Sequence, residues 1–99
     1  MKFTTLRRFA PQIKEIAEKH GIVKVYVFGS TARKEATAQS DIDFLVEMRE
    51  GVSLFGVGGF CYETEKLLGI RVDVVPLSAL PQIEDREFVK NIKEDAVAL

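Results

Sequence analysis

The first twenty residues alternate between apolar and charged positions with the period of an α-helix. Charged side chains lie between apolar positions that recur every three or four residues: Leu6, Phe9, Ile13, Ile16 and Ala17. This spacing places the apolar side chains on one side of a helix. The pattern predicts one amphipathic helix, which Thr4 or Thr5 caps at its start and Gly21 ends.

Two later segments, residues 53–68 and 83–95, have the same period. The first contains three glycines within four positions, Gly56, Gly58 and Gly59, each of which costs a helix up to about 1 kcal/mol relative to alanine. Either the helix begins later, or the glycines allow it to approach the sheet or another chain closely. In the last helix, the pattern turns three apolar residues inward: Phe88, Val89 and Ile92.

Between the helices lie three short runs rich in β-branched and aromatic residues, over residues 22–28, 41–48 and 70–76. Such runs are typical of buried strands. A short helix over residues 30–36, a loop over 38–40 and turns at 50–51 and 80–81 connect them, and residues 95–99 form either a short strand or a frayed end. The order α-β-α-β-α-β-α predicts an α/β (α+β) fold, with a small mixed β-sheet and helices packed mainly on one face.

The composition limits the number of domains, the expected partners and the cellular compartment of this protein. Ninety-nine residues, 46% of them hydrophobic, predict a single domain over residues 1–99. The formal net charge of −1 provides no basic field, so nucleic acid is not an expected partner. We expect no signal peptide and no membrane segment. A lone cysteine, Cys61, fits a reducing compartment and predicts a cytoplasmic protein.

The most informative segment of the chain joins the first two strands. Gly29 and Ser30 follow the first strand, and Asp41 and Asp43 begin the second after ten intervening residues. In an extended chain, residues two apart point to the same face, so the two carboxylates project together while Ile42 enters the core. Adjacent carboxylates repel each other, and a hard divalent cation such as Mg²⁺ relieves that repulsion.

This Gly-Ser, ten-residue, Asp-x-Asp spacing resembles the signature of the nucleotidyltransferase superfamily that contains DNA polymerase beta. The chain is most similar to its smallest members, the minimal nucleotidyltransferases. Asp73, in the third predicted strand, matches the third carboxylate of that family. A carboxylate between valines is expected to be buried and to need a partner. The resemblance implies the nucleotidyltransferase fold.

The resemblance implies Mg²⁺-dependent transfer of AMP from ATP to a hydroxyl, at a site that holds two ions. Asp41 and Asp43 would bridge both ions, and Asp73 would complete the ion on the acceptor side and help to deprotonate the hydroxyl. These three residues are the expected catalytic and metal-binding residues; the alternative for the first two is an ordinary solvated strand start.

Three further residues are expected to bind the nucleotide. Gly29 has no side chain to obstruct a phosphate, and Ser30 presents a hydroxyl and a backbone N–H at a helix start. Arg33, one helical turn later, could bind phosphate oxygens as a fork, or be an ordinary surface arginine. Lys34 stands where family members often have glycine, which puts the local loop geometry in question.

The resemblance also implies a partner, a helical protein of the HEPN type encoded nearby. The leading hypothesis is transfer of AMP to a tyrosine of that partner, with the chain acting as the antitoxin to a toxin. One alternative is nucleotidyl transfer to a small molecule such as an aminoglycoside. Another is a non-catalytic subunit that neutralises its partner by contact. Nucleotide preference, activity without a partner and a homo-oligomeric state remain open.

Overall fold

The computed structural model describes residues 1–37 and 40–99, which include one four-stranded mixed sheet. Its strands are β1 (Ile22–Phe28), β2 (Ile42–Met48), β3 (Val72–Pro76) and β4 (Val97–Ala98). Their order across the sheet is β3-β2-β1-β4, with β2 and β3 parallel and β1 antiparallel to both β2 and β4. The predicted mixed sheet is confirmed, and the chain end is a strand rather than frayed. Residues 38 and 39 of the predicted loop lie outside the described residues.

Two helices replace the single helix predicted for the first twenty residues. They are α1 (Phe3–Arg8) and α2 (Ala10–Lys19), which meet at Phe9. Pro11 has no N–H to donate to the carbonyl four residues earlier, and its ring would clash with that carbonyl, so one continuous helix cannot form. The expected threonine cap is also wrong, since Lys2 precedes α1 and makes no side-chain cap. Gly21 follows α2 with φ +79°, as a terminating glycine should.

The remaining helices are shorter than the predicted ones. They are α3 (Gly29–Ala32), α4 (Phe55–Leu68) and α5 (Arg86–Asp95), and a 3-10 helix (Leu77–Gln82) contains the predicted turn at 80–81. The last helix starts three residues late because the Asp85 side chain accepts a hydrogen bond from Phe88 N (3.0 Å) and fixes the helix start there. The inward direction predicted for Phe88 is wrong: its side chain is 42% exposed, while Val89 and Ile92 are buried.

Alternate residues of β2 belong to two separate hydrophobic clusters. Ile42, Phe44 and Val46 pack with residues of α1, α2 and α4, whereas Leu45 packs with residues of α5 and the 3-10 helix. Because successive side chains in a strand point to opposite faces, these clusters lie on opposite sides of the sheet. Three helices therefore cover one face, in line with the predicted arrangement, and α5 covers part of the other.

The glycines of α4 are explained by the packing of that helix against the end of α2. A Cβ on Gly56 would collide with the backbone carbonyl of His20, and a Cβ on Gly59 would collide with the His20 ring. Gly58 has open space around it. The His20 ring also pairs with Glu63 of α4. Neither explanation offered by the sequence holds as stated: α4 starts two residues late but still contains all three glycines, and the close approach that two of them permit is to the end of α2 rather than to the sheet or another chain.

Among the described residues, no helix combines the length and apolar character needed to cross a membrane.

Candidate active site

A pocket of about 750 Å³ opens where three strands meet at one edge of the sheet. β1 ends at Phe28, and because β2 runs antiparallel to it, β2 starts at the same edge. β3 is parallel to β2 and starts there too. In the register of the sheet, Phe28 lies opposite Asp43, and Asp43 lies opposite Asp73. The topology therefore brings a residue at each of three strand ends into one row.

Five of the six residues predicted for the site line this pocket: Gly29, Ser30, Arg33, Asp43 and Asp73. The sixth, Asp41, lies just before β2, is exposed and is not part of the pocket lining. Its charge still acts on the pocket, because it is one of the carboxylates that raise the pKa of Asp43. Ile42 between the two aspartates is fully buried, as the alternating pattern predicted.

Asp43 is the most strongly perturbed carboxyl group among the described residues. Its pKa is raised to about 6, first because burial disfavours the charged form, and then because of the negative charges of Asp73 and Asp41. A side-chain hydrogen bond with Asp73 acts in the same direction, and the positive charge of Arg33 opposes the shift. The carboxylates at the strand ends thus repel one another.

Asp73 corrects one expectation from the sequence. Although it lies between valines, its side chain is exposed and not buried, since its position on β3 faces the open pocket rather than a helix. It is available to a ligand in the pocket.

Gly29 is favoured at its position by a left-handed backbone and by its contact with the carboxylate of Asp43. Its φ of +73° lies in the left-handed region, and a Cβ at this position would collide with Asp43 Oδ2. The sequence suggested that this glycine makes room for a phosphate. In the structure, the group that a side chain at this position would meet first is the Asp43 carboxylate. Ser30 follows in α3, which has only four residues, so any anion there would depend on the serine hydroxyl and local N–H groups rather than on a long helix.

Arg33 is held by two carboxylates. Its Nε donates to Glu35 (3.0 Å) and its Nη1 donates to Asp95 of α5 (2.6 Å). These two hydrogen bonds are the main reason that the pKa of the exposed Arg33 guanidinium is raised. None of the described residues accepts a hydrogen bond from its Nη2, so this nitrogen is free to bind phosphate. The sequence left two roles open for Arg33, a phosphate ligand or an ordinary surface arginine. The structure adds a third, an ion pair that links the end of α3 to α5.

Lys34 adopts φ +62°, the only left-handed value among the described residues that are not glycine. The local backbone is therefore the one that a glycine would adopt most readily. The departure from the family pattern at this position leaves the turn conformation in place.

Sequence reasoning missed the contribution of α5 to the pocket. Phe88, Asn91 and Asp95 all line it, and their spacing of three and four residues places them along one flank of the helix. The same 3.6-residue period that assigned Val89 and Ile92 to the core could have identified this flank. The period alone does not predict that this flank of α5 lies against the strand ends, because its position depends on tertiary packing.

The chemistry of the carboxylates fits a divalent cation. Oxygen ligands are those that Mg²⁺ prefers. Burial and then the repulsion by Asp73 and Asp41 raise the pKa of Asp43, and a bound cation would relieve that repulsion. Within residues 1–37 and 40–99, no three acidic, histidine or cysteine side chains already form a metal-binding cluster. The carboxylates therefore suit Mg²⁺ by their oxygen donors and their negative charge. To bind an ion together with Asp43 and Asp73, the Asp41 side chain would have to turn toward the pocket.

The fold and the strand-end carboxylates define a nucleotidyl-transferring class of enzyme. The sequence profile of the nucleotidyltransferase domain matches residues 10–99, and the chain belongs to this family. The resemblance seen in the sequence is thereby confirmed, as are the fold class and the assignment as a nucleotidyltransferase.

Relatives and solved structures give a finer comparison. The chain is 43% identical over 76 residues to a protein of Methanocaldococcus jannaschii named "putative protein adenylyltransferase", an alignment covering 76% of this chain and 82% of the relative. It is 43% identical over 67 residues to the protein adenylyltransferase MntA of Thermococcus cleftensis, covering 68% of each. A solved structure described as a "putative minimal nucleotidyltransferase" superposes with a TM-score of 0.79 and 35% identity, covering 100% of this chain and 97% of the other.

A toxin–antitoxin crystal structure with AMP-PNP shares the fold of this chain. One of its chains superposes with a TM-score of 0.68 at 17% identity, over 89% of this chain and 69% of the other.

Proposed function

We propose that this protein transfers AMP from ATP to a hydroxyl of a partner protein, with Mg²⁺ as the cofactor. The observation that carries the proposal is the row of strand ends that brings Gly29, Ser30, Asp43 and Asp73 into one pocket. The names of the two relatives at 43% identity support a protein as the acceptor. We treat residues 1–99 as one domain in this proposal.

In the proposed reaction, an oxygen of the acceptor hydroxyl attacks the α-phosphorus of ATP. A new P–O bond forms to the acceptor, the bond between the α-phosphorus and the bridging oxygen breaks, and pyrophosphate leaves. The hydroxyl proton passes to a carboxylate, and Asp73, the exposed carboxylate on β3, is the residue we assign to receive it. A pair of Mg²⁺ ions held by Asp41, Asp43 and Asp73 would neutralise charge on the phosphate oxygens.

The remaining residues position the triphosphate. Ser30 would donate its hydroxyl and backbone N–H to a phosphate oxygen at the edge of the pocket. Arg33 would act chiefly as an electrostatic partner, because two of its nitrogens are bonded to Glu35 and Asp95. Gly29 would keep space for the Asp43 carboxylate, which must point into the pocket to bind a cation.

We propose a tyrosine of a HEPN-type helical protein as the acceptor, and an antitoxin role for this chain. The resemblance of the sequence motif supports this choice, and solved toxin–antitoxin structures share the fold. Asp73 and Phe88 line the pocket and are exposed to solvent, so a side chain projecting from another protein can enter it. We place the reaction in the cytoplasm.

The test uses ATP labelled at the α-phosphate, incubated with the purified protein, Mg²⁺ and a lysate of the source cells. The test variant is Asp43→Asn, and the matched control is Glu47→Gln, another carboxylate of β2 that does not line the pocket. We expect label on one protein band with the wild type and the control, and none with the test variant. Mass spectrometry of that band identifies the modified residue.

Other outcomes would replace the proposal. Label in a small-molecule fraction, with no labelled protein, would favour transfer to a small acceptor. Equal labelling by Asp43→Asn and wild type would rule out this pocket as the catalytic site. Neutralisation of the partner by Asp43→Asn, without labelling by any form of the protein, would favour inhibition by contact alone.

A further inference from the structure

One flank of α5 forms a wall of the pocket, and two of its three residues have no role in the proposed transfer chemistry. The flank consists of Phe88, Asn91 and Asp95. Asp95 is engaged by Arg33 at 2.6 Å, so this helix is tied to the turn that follows β1. Phe88 and Asn91 are both exposed, and the proposed function gives them no part in phosphate or cation binding.

The exposure of Phe88 is unusual for its surroundings. The neighbouring residues of the same helix, Val89 and Ile92, are 2% and 1% exposed, whereas Phe88 is 42% exposed. Its side chain therefore adds an aromatic surface to the pocket instead of to the core. An exposed aromatic ring that lines a pocket is a surface on which a flat ligand can stack.

The pocket has two chemically different ends. Gly29, Ser30, Asp43 and Asp73 form a polar end at the strand termini. The rest of the wall combines five apolar residues with Asn91 and the Arg33–Asp95 ion pair; the apolar residues are Phe28, Val74, Val75, Phe88 and Ile92. A nucleoside triphosphate has the same division, with a charged triphosphate and a flat, weakly polar base. A volume of about 750 Å³ lies within the range of small-molecule sites.

We propose that the α5 flank is the nucleobase subsite: the base stacks on the Phe88 ring, and the Asn91 amide hydrogen-bonds to the edge of the base. This inference rests on the proposed function, because it assumes that the triphosphate occupies the polar end. The occupant is the base of the donor nucleotide, since Phe88 and Asn91 are continuous with the end that receives the triphosphate. An amide carries one acceptor and two donors, which allows it to pair with the acceptor and amine of adenine.

The experiment separates the two ends of the ligand by calorimetric titration with Mg²⁺ present. The probes are ATP and inorganic tripolyphosphate, which has the charged part but no base. The test variant is Phe88→Ala. The matched control is Phe55→Ala, which removes a 92% exposed phenylalanine that does not line the pocket. We expect Phe88→Ala to weaken ATP binding by about tenfold, as loss of a stacked base does, and to leave tripolyphosphate binding unchanged. Phe55→Ala should change neither.

Two further variants test the type of contact. Phe88→Leu keeps an apolar side chain but has no aromatic face, and it should weaken ATP binding nearly as much as alanine. Phe88→Trp should restore it. Asn91→Ala should shift the ratio of ATP to GTP affinity by about fivefold, because it removes the groups that read the edge of the base.

The outcomes distinguish this inference from the proposed function. If Phe88→Ala binds ATP as tightly as the wild type, the base subsite is wrong, and if only protein labelling then falls, the apolar end serves the acceptor instead. If Phe88→Ala loses ATP and tripolyphosphate equally, the ring supports the pocket and does not stack on a base. If the wild type binds neither probe, the proposed function fails and the subsite fails with it.

Discussion

The two faces of the sheet differ in how completely the helices cover them. The closed face, under α1, α2 and α4, contains side chains with no exposure, among them Leu6, Phe44 and Phe60. The site face is covered by α5 and the 3-10 helix over only part of its area and retains the pocket with Asp43. Strand β2 contributes to both, since its side chains alternate. One strand can therefore supply buried apolar surface on one side and repelling charges on the other. The stabilisation from apolar burial offsets the destabilisation from charge repulsion.

The largest effect is expected from opening the closed face with Phe44→Ala. Phe44 is fully buried and packs edge-to-face on Phe60, with ring centroids 5.6 Å apart. Its truncation leaves a cavity and should lower the free energy of unfolding by about 3–5 kcal/mol. Urea denaturation measures the change, and Phe55→Ala, at an exposed position, should stay within about 0.5 kcal/mol of the wild type. A loss for Phe44→Ala no larger than that of its control would show that the closed face is not the main source of stability.

A second effect concerns the close contact between α2 and α4 on the closed face. Gly59→Ala would push a methyl group into the His20 ring and should destabilise the protein by about 1–3 kcal/mol. Gly58→Ala, one residue earlier, meets open space and should stabilise the helix by about 0.5–1 kcal/mol. Thermal unfolding of the two variants gives the comparison. Changes of the same sign would mean that helix propensity, not the contact with His20, decides both.

On the site face, removal of a charge should stabilise the protein. The pKa of Asp43 is raised from 3.8 to about 6, so the folded state binds more protons than the unfolded state between these values. Stability should therefore fall as pH rises through this window, and the loss should be complete above about pH 6. The shift comes first from burial and then from repulsion, and both are reduced by solvent at this partly exposed side chain, so we expect the loss of stability to be roughly 1–2 kcal/mol.

Asp43→Asn removes this penalty, so its gain over the wild type should be absent near pH 4 and full at pH 7–8, without divalent cations. Denaturation with EDTA at several pH values measures it, with Glu47→Gln as the control. Added Mg²⁺ should then stabilise the wild type and not the variant. A pH-independent difference would show that Asp43 does not titrate in this window.

The sequence predicts the strands better than the helix ends and the site. The strand runs and the Gly-Ser to Asp-x-Asp spacing depend on local side-chain alternation, so β1 and the start of β2 were placed to within one residue. The break at Phe9 follows from Pro11, a local signal that the apolar period concealed. The exposure of Asp73 and Phe88, and the partners of Arg33, depend on which face of an element meets another. Residues distant in sequence decide that, as Asp95 does for Arg33 across 62 positions.

The smallest effect is expected at Lys34, in the turn that leads from α3 toward Asp41. A φ of +62° costs a residue with a Cβ about 1–2 kcal/mol of strain, which glycine would relieve. Glycine also makes the unfolded chain more flexible, and this offsets part of the stabilisation. Lys34→Gly should therefore stabilise the protein by about 0.5–1 kcal/mol, measured by thermal unfolding. Lys34→Ala separates conformation from charge, because it removes the ammonium group and keeps the Cβ. If alanine stabilises as much as glycine, loss of the charge is the cause, and the strain assigned to this turn is absent.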